Sequence, residues 1–434
     1  MGPITTRIGP MTNDERAYDR GRLGLWLAGT ARAEGIERRD LLRLLAAAGV
    51  GVGATTAATV GAAAPPAAAA PGARAAGIVK PLPPDRFVIH GTNAETRWSA
   101  LRGTGYHTPN DLFFVRNHTV TPALDAATWR LRIWGDGLRG ARPAEFSLED
   151  LRALPAVERS VFLECAGNGR SFFDRQQGEP VSGTAWSLGA IGMARWRGVR
   201  LAEVLRRAGL SPHAVDIQPR GLDDAFFSGG VNLGRVRRPL PVTKALDDVL
   251  LAYEMNGAPL PPDHGHPVRL LVPSWIGISS IKWLGDIEVS ATPLYSPWNT
   301  DLYRLFGPGH PEEGSAPLSR QTLKSAFELP WEAPLSAGRA RVLTGRSWSG
   351  GRGVRSVEIS VDGGTAWRPA TLHDAPRPGG WVRWSLRWTP RTPGRTELLA
   401  RATDVDGTTQ PERTAHNTQG YLFDAVVRHP VTVA

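Results

Sequence analysis

Cysteine is almost missing from this sequence: the 434 residues include one, Cys165. A single thiol excludes an intramolecular disulfide, a Cys-rich zinc or iron–sulfur site and a C-x-x-C-H haem attachment. Lysine is scarce as well, confined to Lys80, Lys244, Lys282 and Lys324, so the formal charge of +10 rests on arginines scattered along the chain. That scatter builds no basic helix or stripe, which argues against a nucleic-acid partner and favours a small anionic substrate or an acidic redox partner. Long apolar runs are missing beyond residue 76, so no later segment is expected to cross a bilayer.

Glycine and proline are plentiful, with 49 and 36 residues, and call for short elements joined by many turns. The length suits two domains and a tail. In residues 1–76, Arg38 and Arg39 precede Leu41, Leu42, Leu44 and Leu45 and a weakly apolar Ala/Gly/Val/Thr run to Ala64. Pro65 and Pro66 end the run, and Ala73-Arg74-Ala75 offers a small-residue cleavage step. The pattern is similar to a twin-arginine export leader, and predicts a soluble mature protein in the periplasm or elsewhere outside the cytoplasm.

From about 80 to 318 helix and strand patterns alternate. Ser147-Leu148-Glu149-Asp150 reads as a capped helix start, and Leu201, Val204, Leu205 and Ala208 recur at helical spacing before Gly209. Leu131 with Ile133, and Val161 with Leu163, mark strands, the second of which leads to Cys165. From about 336 onward the pattern is all-β. Val357, Ile359 and Val361 alternate with polar residues up to the Asp362-Gly363-Gly364 turn, as do Val382, Trp384, Leu386 and Trp388. These strands predict a β-sandwich of immunoglobulin type, with the proline-rich stretch 307–335 as the linker before it.

The segment Leu163-Glu164-Cys165-Ala166-Gly167-Asn168-Gly169-Arg170 puts a thiol just past a strand, in a glycine-bearing loop that lets a bulky group approach the backbone. Three readings of Cys165 are open on these residues alone. It is a small buried hydrophobe, a nucleophile with His264 or His118 as its base, or a soft ligand to a redox metal.

The string LECAGNGR at 163–170 resembles the cysteine loop of the sulfite oxidase family, and the resemblance runs in order along residues 95–434. TPNDLFFVRNH (108–118), GTAWSLGAIGMARWRGVRL (183–201), GLD (221–223), LLAYEMNGAPLPPDHGHPVRLLVP (250–273), IKWLG (281–285) and SWSGGRGVRSVEISVDGGTAW (347–367) continue it. The resemblance implies an α+β protein. A mixed α/β molybdopterin-binding catalytic domain (77–318) would precede an immunoglobulin-like dimerisation domain (319–434), the chain forming a homodimer through the latter. It implies a molybdenum–molybdopterin cofactor with Cys165 as thiolate ligand to the metal. Phe114, Val115, Arg116, Asn117 and His118 would hold the pterin, as would Asp223, His264, Arg269 and the Ser280-Ile281-Lys282 run. A pterin with a phosphate tail needs such cationic and backbone donors. Arg116, Arg170, Trp186 and Tyr303 would line the substrate pocket, where guanidinium forks suit an oxyanion.

The implied reaction is oxidation of sulfite to sulfate by oxygen-atom transfer, with electrons passing singly to a separate acceptor such as a c-type cytochrome, since no haem or flavin motif is present. One position departs from the family, which commonly places an arginine where His416-Asn417-Thr418-Gln419-Gly420 carries Gln419, a hydrogen-bond donor without charge. That departure keeps open a sulfane dehydrogenase catalytic subunit acting on protein-bound sulfur. Methionine sulfoxide reductases of the same fold lack the C-terminal sandwich, which counts against them. An exported, non-catalytic β-sandwich binding module is the rival from a different class.

Overall fold

The computed structural model describes residues 77–140 and 142–434; the leader read into residues 1–76 lies outside the described residues. The described chain opens with a short hairpin, Phe87–His90 against Asn93–Thr96, and continues into two five-stranded sheets. The first sheet runs, edge to edge, Leu240–Pro241, Asp216–Gly221, Leu284–Ser290, Arg130–Trp134 and Ala144–Ser147. All its neighbours are antiparallel except Leu284–Ser290 and Arg130–Trp134, which are parallel. The second sheet orders Ala258–Pro259, Leu250–Met255, Ile191–Arg200 and Ala156–Glu164, and Arg269–Leu271 also pairs with Leu250–Met255.

Helices are short and sit where the sequence punctuates them. Leu148–Arg152 begins at Ser147, whose hydroxyl accepts from the Asp150 N–H while the Asp150 carboxylate accepts from the Ser147 N–H, a reciprocal cap. Leu201–Arg207 buries Leu201, Val204 and Leu205, and Gly209 follows at φ +86°, a conformation that stops the helix without steric cost.

The strand Ala156–Glu164 determines where the chemistry lies. Its outer half alternates between exposed and partly buried positions, whereas Val161, Phe162, Leu163 and Glu164 are all buried. The strand therefore runs from the surface into the core and delivers Cys165 there.

The C-terminal part packs two sheets face to face. One orders Lys324–Phe327, Arg341–Trp348, Trp381–Trp388 and Thr371–Leu372; the other orders Ala333–Leu335, His429–Val433, Gly394–Asp404, Val354–Ser360 and Arg368–Pro369. Leu343, Val357, Ile359, Val382, Trp384 and Leu398 fill the space between them, as the alternating pattern predicts. The linker expectation needs correction, because the stretch 307–335 already contains two sandwich strands: Lys324–Phe327 pairs with Arg341–Trp348, and Ala333–Leu335 with His429–Val433. Every residue of Lys324–Phe327 is buried, so the strand has no solvent face to impose a polar alternation.

The sandwich is packed onto the catalytic sheets. Trp348, Trp381 and Phe423 share one buried cluster with Phe162, Phe172, Phe173, Ile191 and Met193. Among the described residues no helix is long and apolar enough to cross a membrane.

Candidate active site

A cleft of about 740 Å³, counting the part open to solvent, opens beyond the end of the strand that carries Cys165. Its wall comes from several separated stretches, Asp223 and Val236 among them. Phe113, Phe114, Arg116, Asn117 and His118 come from one loop, Leu163, Cys165 and Ala166 from the cysteine loop, and Asp263, His264 and Arg269 from the turn before Arg269–Leu271. Ser280, Ile281, Lys282 and Trp283 follow, and Tyr303 comes from beyond the first sheet. Two of these residues hold left-handed backbone, Trp283 at φ +52° and Tyr303 at φ +59°, strain that only well-determined surroundings sustain.

Cys165 is buried, donates its N–H to the Ala190 carbonyl at 3.0 Å and accepts at its own carbonyl from the Asn168 N–H at 2.9 Å. The cations around it are short of counter-charge: among the described residues no carboxylate forms an ion pair with Arg116, Arg269 or Lys282. Arg269 donates to the carbonyls of His264 and Ser280 at 3.1 and 2.9 Å, and its burial pulls its pKa down to about 9. Lys282 donates to the Asn117 amide oxygen and the Asp263 carbonyl, and burial, with Arg269 next, holds its ammonium well below the usual lysine range.

Both histidines are neutral. Burial is the largest cause for each; Arg116 and Lys282 add to it at His118, and Lys80, Lys282 and Arg269 at His264. His118 Nε2 lies 3.0 Å from Arg116 and accepts from Trp298 Nε1 at 3.2 Å, so it is the acceptor nitrogen and the proton sits on Nδ1. His264 Nε2 is buried with no partner among the described residues. Burial raises the Asp223 carboxyl to about 6.

Tyr303 stacks on Tyr421, centroids 5.0 Å apart, and the Arg238 guanidinium lies 5.5 Å from its ring. Burial, with Cys165 adding, lifts its hydroxyl above the ordinary tyrosine range while Arg116, Arg238 and Arg170 oppose this, so it stays protonated and able to donate.

Three residues expected at the site do not line the cleft, although Trp186 shares a buried cluster with Cys165 and Phe114. Val115 bridges to Ala94 and packs with Ile78, Leu82 and Phe87 in a separate buried cluster. Trp186 is fully buried, edge-on to His90 at 5.2 Å, and is a core aromatic. Arg170 lies behind the wall, donating to the Gln419 and Thr184 carbonyls at 2.8 and 2.9 Å with its guanidinium 5.3 Å from the Tyr421 ring. Gln419 itself donates to the Asp301 carbonyl at 3.0 Å.

Wall residues absent from the sequence-based set include Phe113, Asp263 and Trp283, each adjacent in the chain to one that was in it, and Val236, which is not. Arg238 and Tyr421, set against Tyr303, carried no such neighbour. Asp263 binds the start of the described chain to the site by accepting from the N–H groups of Val79 and Lys80 and from the Thr121 hydroxyl at 2.6 Å.

The arrangement fits an anionic, metal-bearing cofactor. The buried Arg269 and the partly buried Arg116 and Lys282 lack an anionic partner among the described residues, the His264 Nε2 lacks a hydrogen-bonding one there, and the thiol faces the same space. Among the described residues no group of three or more His, Cys, Asp or Glu could hold a metal ion.

Comparisons with known proteins agree. Residues 118–298 match the family described as "Oxidoreductase molybdopterin binding domain", and residues 332–434 the "Mo-co oxidoreductase dimerisation domain". The chain is 37% identical over 347 residues to mitochondrial sulfite oxidase of Mus musculus, covering 76% of this chain and 62% of that protein. It is 35% identical over 344 residues to sulfite oxidase of Gallus gallus, covering 73% and 71% respectively. The chain thus spans about 62% of the length of the mouse relative. Among solved structures it is similar to the sulfane dehydrogenase SoxCD from Paracoccus pantotrophus, with a TM-score of 0.66, 27% identity, and coverage of 79% of this chain and 85% of that one.

Proposed function

Because the chain belongs to the sulfite oxidase family of molybdopterin oxidoreductases, we propose that it oxidises sulfite to sulfate with a molybdenum–molybdopterin cofactor, passing electrons to a separate acceptor such as a c-type cytochrome. Overall, sulfite and water become sulfate, two protons and two electrons. The single observation that carries the reading is a buried thiol, Cys165, sharing one cleft with Arg116, Arg269 and Lys282, none of which forms an ion pair with a carboxylate among the described residues.

Arg269, Lys282, His264, Asn117 and the Ser280-Ile281 backbone would hold the pterin and its phosphate, and Cys165 would supply the protein's thiolate to the metal. The bound centre supplies the two-electron redox change. Arg116 and the protonated Tyr303 hydroxyl, on the wall beside Cys165, are suited to bind and orient the oxyanion. Arg170 contributes its field from behind Tyr421.

The test is sulfite-dependent reduction of ferricyanide or cytochrome c by protein purified with its molybdenum; absence of turnover in a fully loaded sample refutes the reading. A second reading, oxidation of protein-bound sulfane sulfur, is favoured by the uncharged Gln419 and by the likeness to a sulfane dehydrogenase. Turnover with a persulfidated carrier protein and none with sulfite would select it. We further propose a homodimer through residues 319–434 and export by the leader in residues 1–76. Sedimentation addresses the first. Mass spectrometry of the secreted protein addresses the second, with a mature start expected between residues 66 and 80 and Arg38 in the mature chain refuting it.

A further inference from the structure

The residue before the thiol is a glutamate that the proposed chemistry leaves unused. Glu164 ends the strand Ala156–Glu164, is 0% exposed and stands one peptide bond from Cys165. Its carboxylate is fully engaged. One oxygen accepts from Lys324 Nζ at 2.7 Å and Asn168 Nδ2 at 2.9 Å; the other accepts from Trp348 Nε1 at 3.0 Å. Lys324 and Trp348 belong to the C-terminal sandwich, on the paired strands Lys324–Phe327 and Arg341–Trp348.

The same ammonium donates to the Asn168 carbonyl at 2.9 Å, and Gln321 Nε2 donates to the Glu164 carbonyl. Beyond the thiol, the Asn168 N–H returns to the Cys165 carbonyl at 2.9 Å, and the Leu422 N–H, from the chain between the sandwich strands Gly394–Asp404 and His429–Val433, reaches the Ala166 carbonyl at 2.8 Å. The peptide units on both sides of Cys165 are therefore tied to the C-terminal part of the chain.

Burying a carboxylate and an ammonium desolvates two ions, and an apolar pair of equal volume would serve as well or better where only stability is needed. What the pair adds is direction: its donors leave the cysteine loop one orientation. We propose that Glu164 is a positioning residue for Cys165, and that Lys324 and Trp348 of the C-terminal sandwich, acting through it, fix the direction in which the thiolate meets the metal. The inference rests on Cys165 being the ligand.

The test compares Lys324→Met, Glu164→Gln and Trp348→Phe with wild type and Cys165→Ser, each purified as full-length holoprotein. Molybdenum content, melting temperature and the Mo(V) electron paramagnetic resonance spectrum after reductive titration with dithionite are measured. Trp348→Phe is the mild variant, keeping an aromatic ring against Trp98 while removing the N–H. The expected result is a shifted Mo(V) spectrum in all three variants, and a loss of molybdenum affinity on the order of tenfold in Lys324→Met, the size found when a group orienting a ligand is removed. Wild-type spectra and loading in the three variants, with only the melting temperature lowered and the Cys165→Ser spectrum changed, would overturn the inference while sparing the ligand assignment. An unchanged spectrum in Cys165→Ser overturns both.

Discussion

A guanidinium buried with only carbonyl partners is a costly group, and Arg269 is one: its donors meet the His264 and Ser280 carbonyls, and burial lowers its pKa to about 9. Such a charge is retained when a ligand supplies the missing anion. Arg269→Met should therefore stabilise the cofactor-free protein by an amount on the order of 1–4 kcal/mol while abolishing cofactor loading. Chemical denaturation of the apoprotein and molybdenum analysis of the holoprotein check the two halves. Gln419 presents the opposite case, a neutral side chain whose amide donates to the Asp301 carbonyl while its backbone carbonyl accepts from Arg170. Gln419→Arg should lower KM for sulfite by roughly tenfold, the worth of one charge-assisted hydrogen bond, and steepen its dependence on salt. An unchanged KM would mean that the new guanidinium pairs instead with the buried Asp301 carboxyl, which burial raises to about 6. Residues inside contiguous motifs, such as Cys165, His264 and Lys282, were legible in the sequence because neighbours mark them. Arg238 and Tyr421 were not, since each reaches Tyr303 across the fold; Arg238 sits in an unremarkable local sequence, and Tyr421 stands just past the Gln419 segment without being marked by it.

At the level of elements, legibility followed solvent exposure. Trp381–Trp388 pairs residue for residue with Arg341–Trp348 and keeps the alternation that revealed it, because part of one face meets solvent. Lys324–Phe327 is enclosed on both faces, and its sequence reads as linker. The strand His429–Val433 offers a test of what burial does to one imidazole. His429 lies within hydrogen-bond reach of the Pro330 carbonyl at 3.0 Å, edge-on to Trp331, and burial lowers its pKa to about 4. It is neutral in the folded protein, whereas in the unfolded chain it takes up a proton below its ordinary 6.5. The stability it confers is thus whole above pH 6.5 and is lost as pH falls toward about 4. His429→Gln, which keeps a donor for Pro330, should flatten this part of the stability profile, narrowing the loss between pH 6.5 and 4 by on the order of 2–3 kcal/mol. Urea denaturation of both proteins across that range gives the difference directly; parallel profiles would show that His429 does not titrate on unfolding.

The whole molecule behaves as its interfaces dictate, and here the catalytic sheets and the sandwich share buried polar bonds as well as an apolar cluster. Lys324 meets Glu164, and Arg346 meets Glu328 at 2.7 Å while donating to the Leu101 carbonyl at 2.8 Å. Separating the two parts leaves Lys324 and Glu164 unpaired, at about 3–5 kcal/mol, breaks the bond from Arg346 to the Leu101 carbonyl, and exposes the cluster around Trp348 and Trp381. Neither part should then outlast the other on heating. Cofactor binding adds a second constraint, since a ligand that binds only the folded state stabilises by RT ln(1 + [L]/Kd), about 4 kcal/mol when it stands a thousandfold above its dissociation constant. If the parts are coupled, that gain reaches the sandwich although the cofactor touches only the catalytic cleft. Differential scanning calorimetry of the described region, residues 77–434, should show one transition in holoprotein and apoprotein alike, the whole of it moved to lower temperature when the cofactor is absent. Two transitions, with the higher one indifferent to molybdenum, would show that the sandwich folds on its own account. Trp348→Phe should then leave the cofactor-dependent transition where it was.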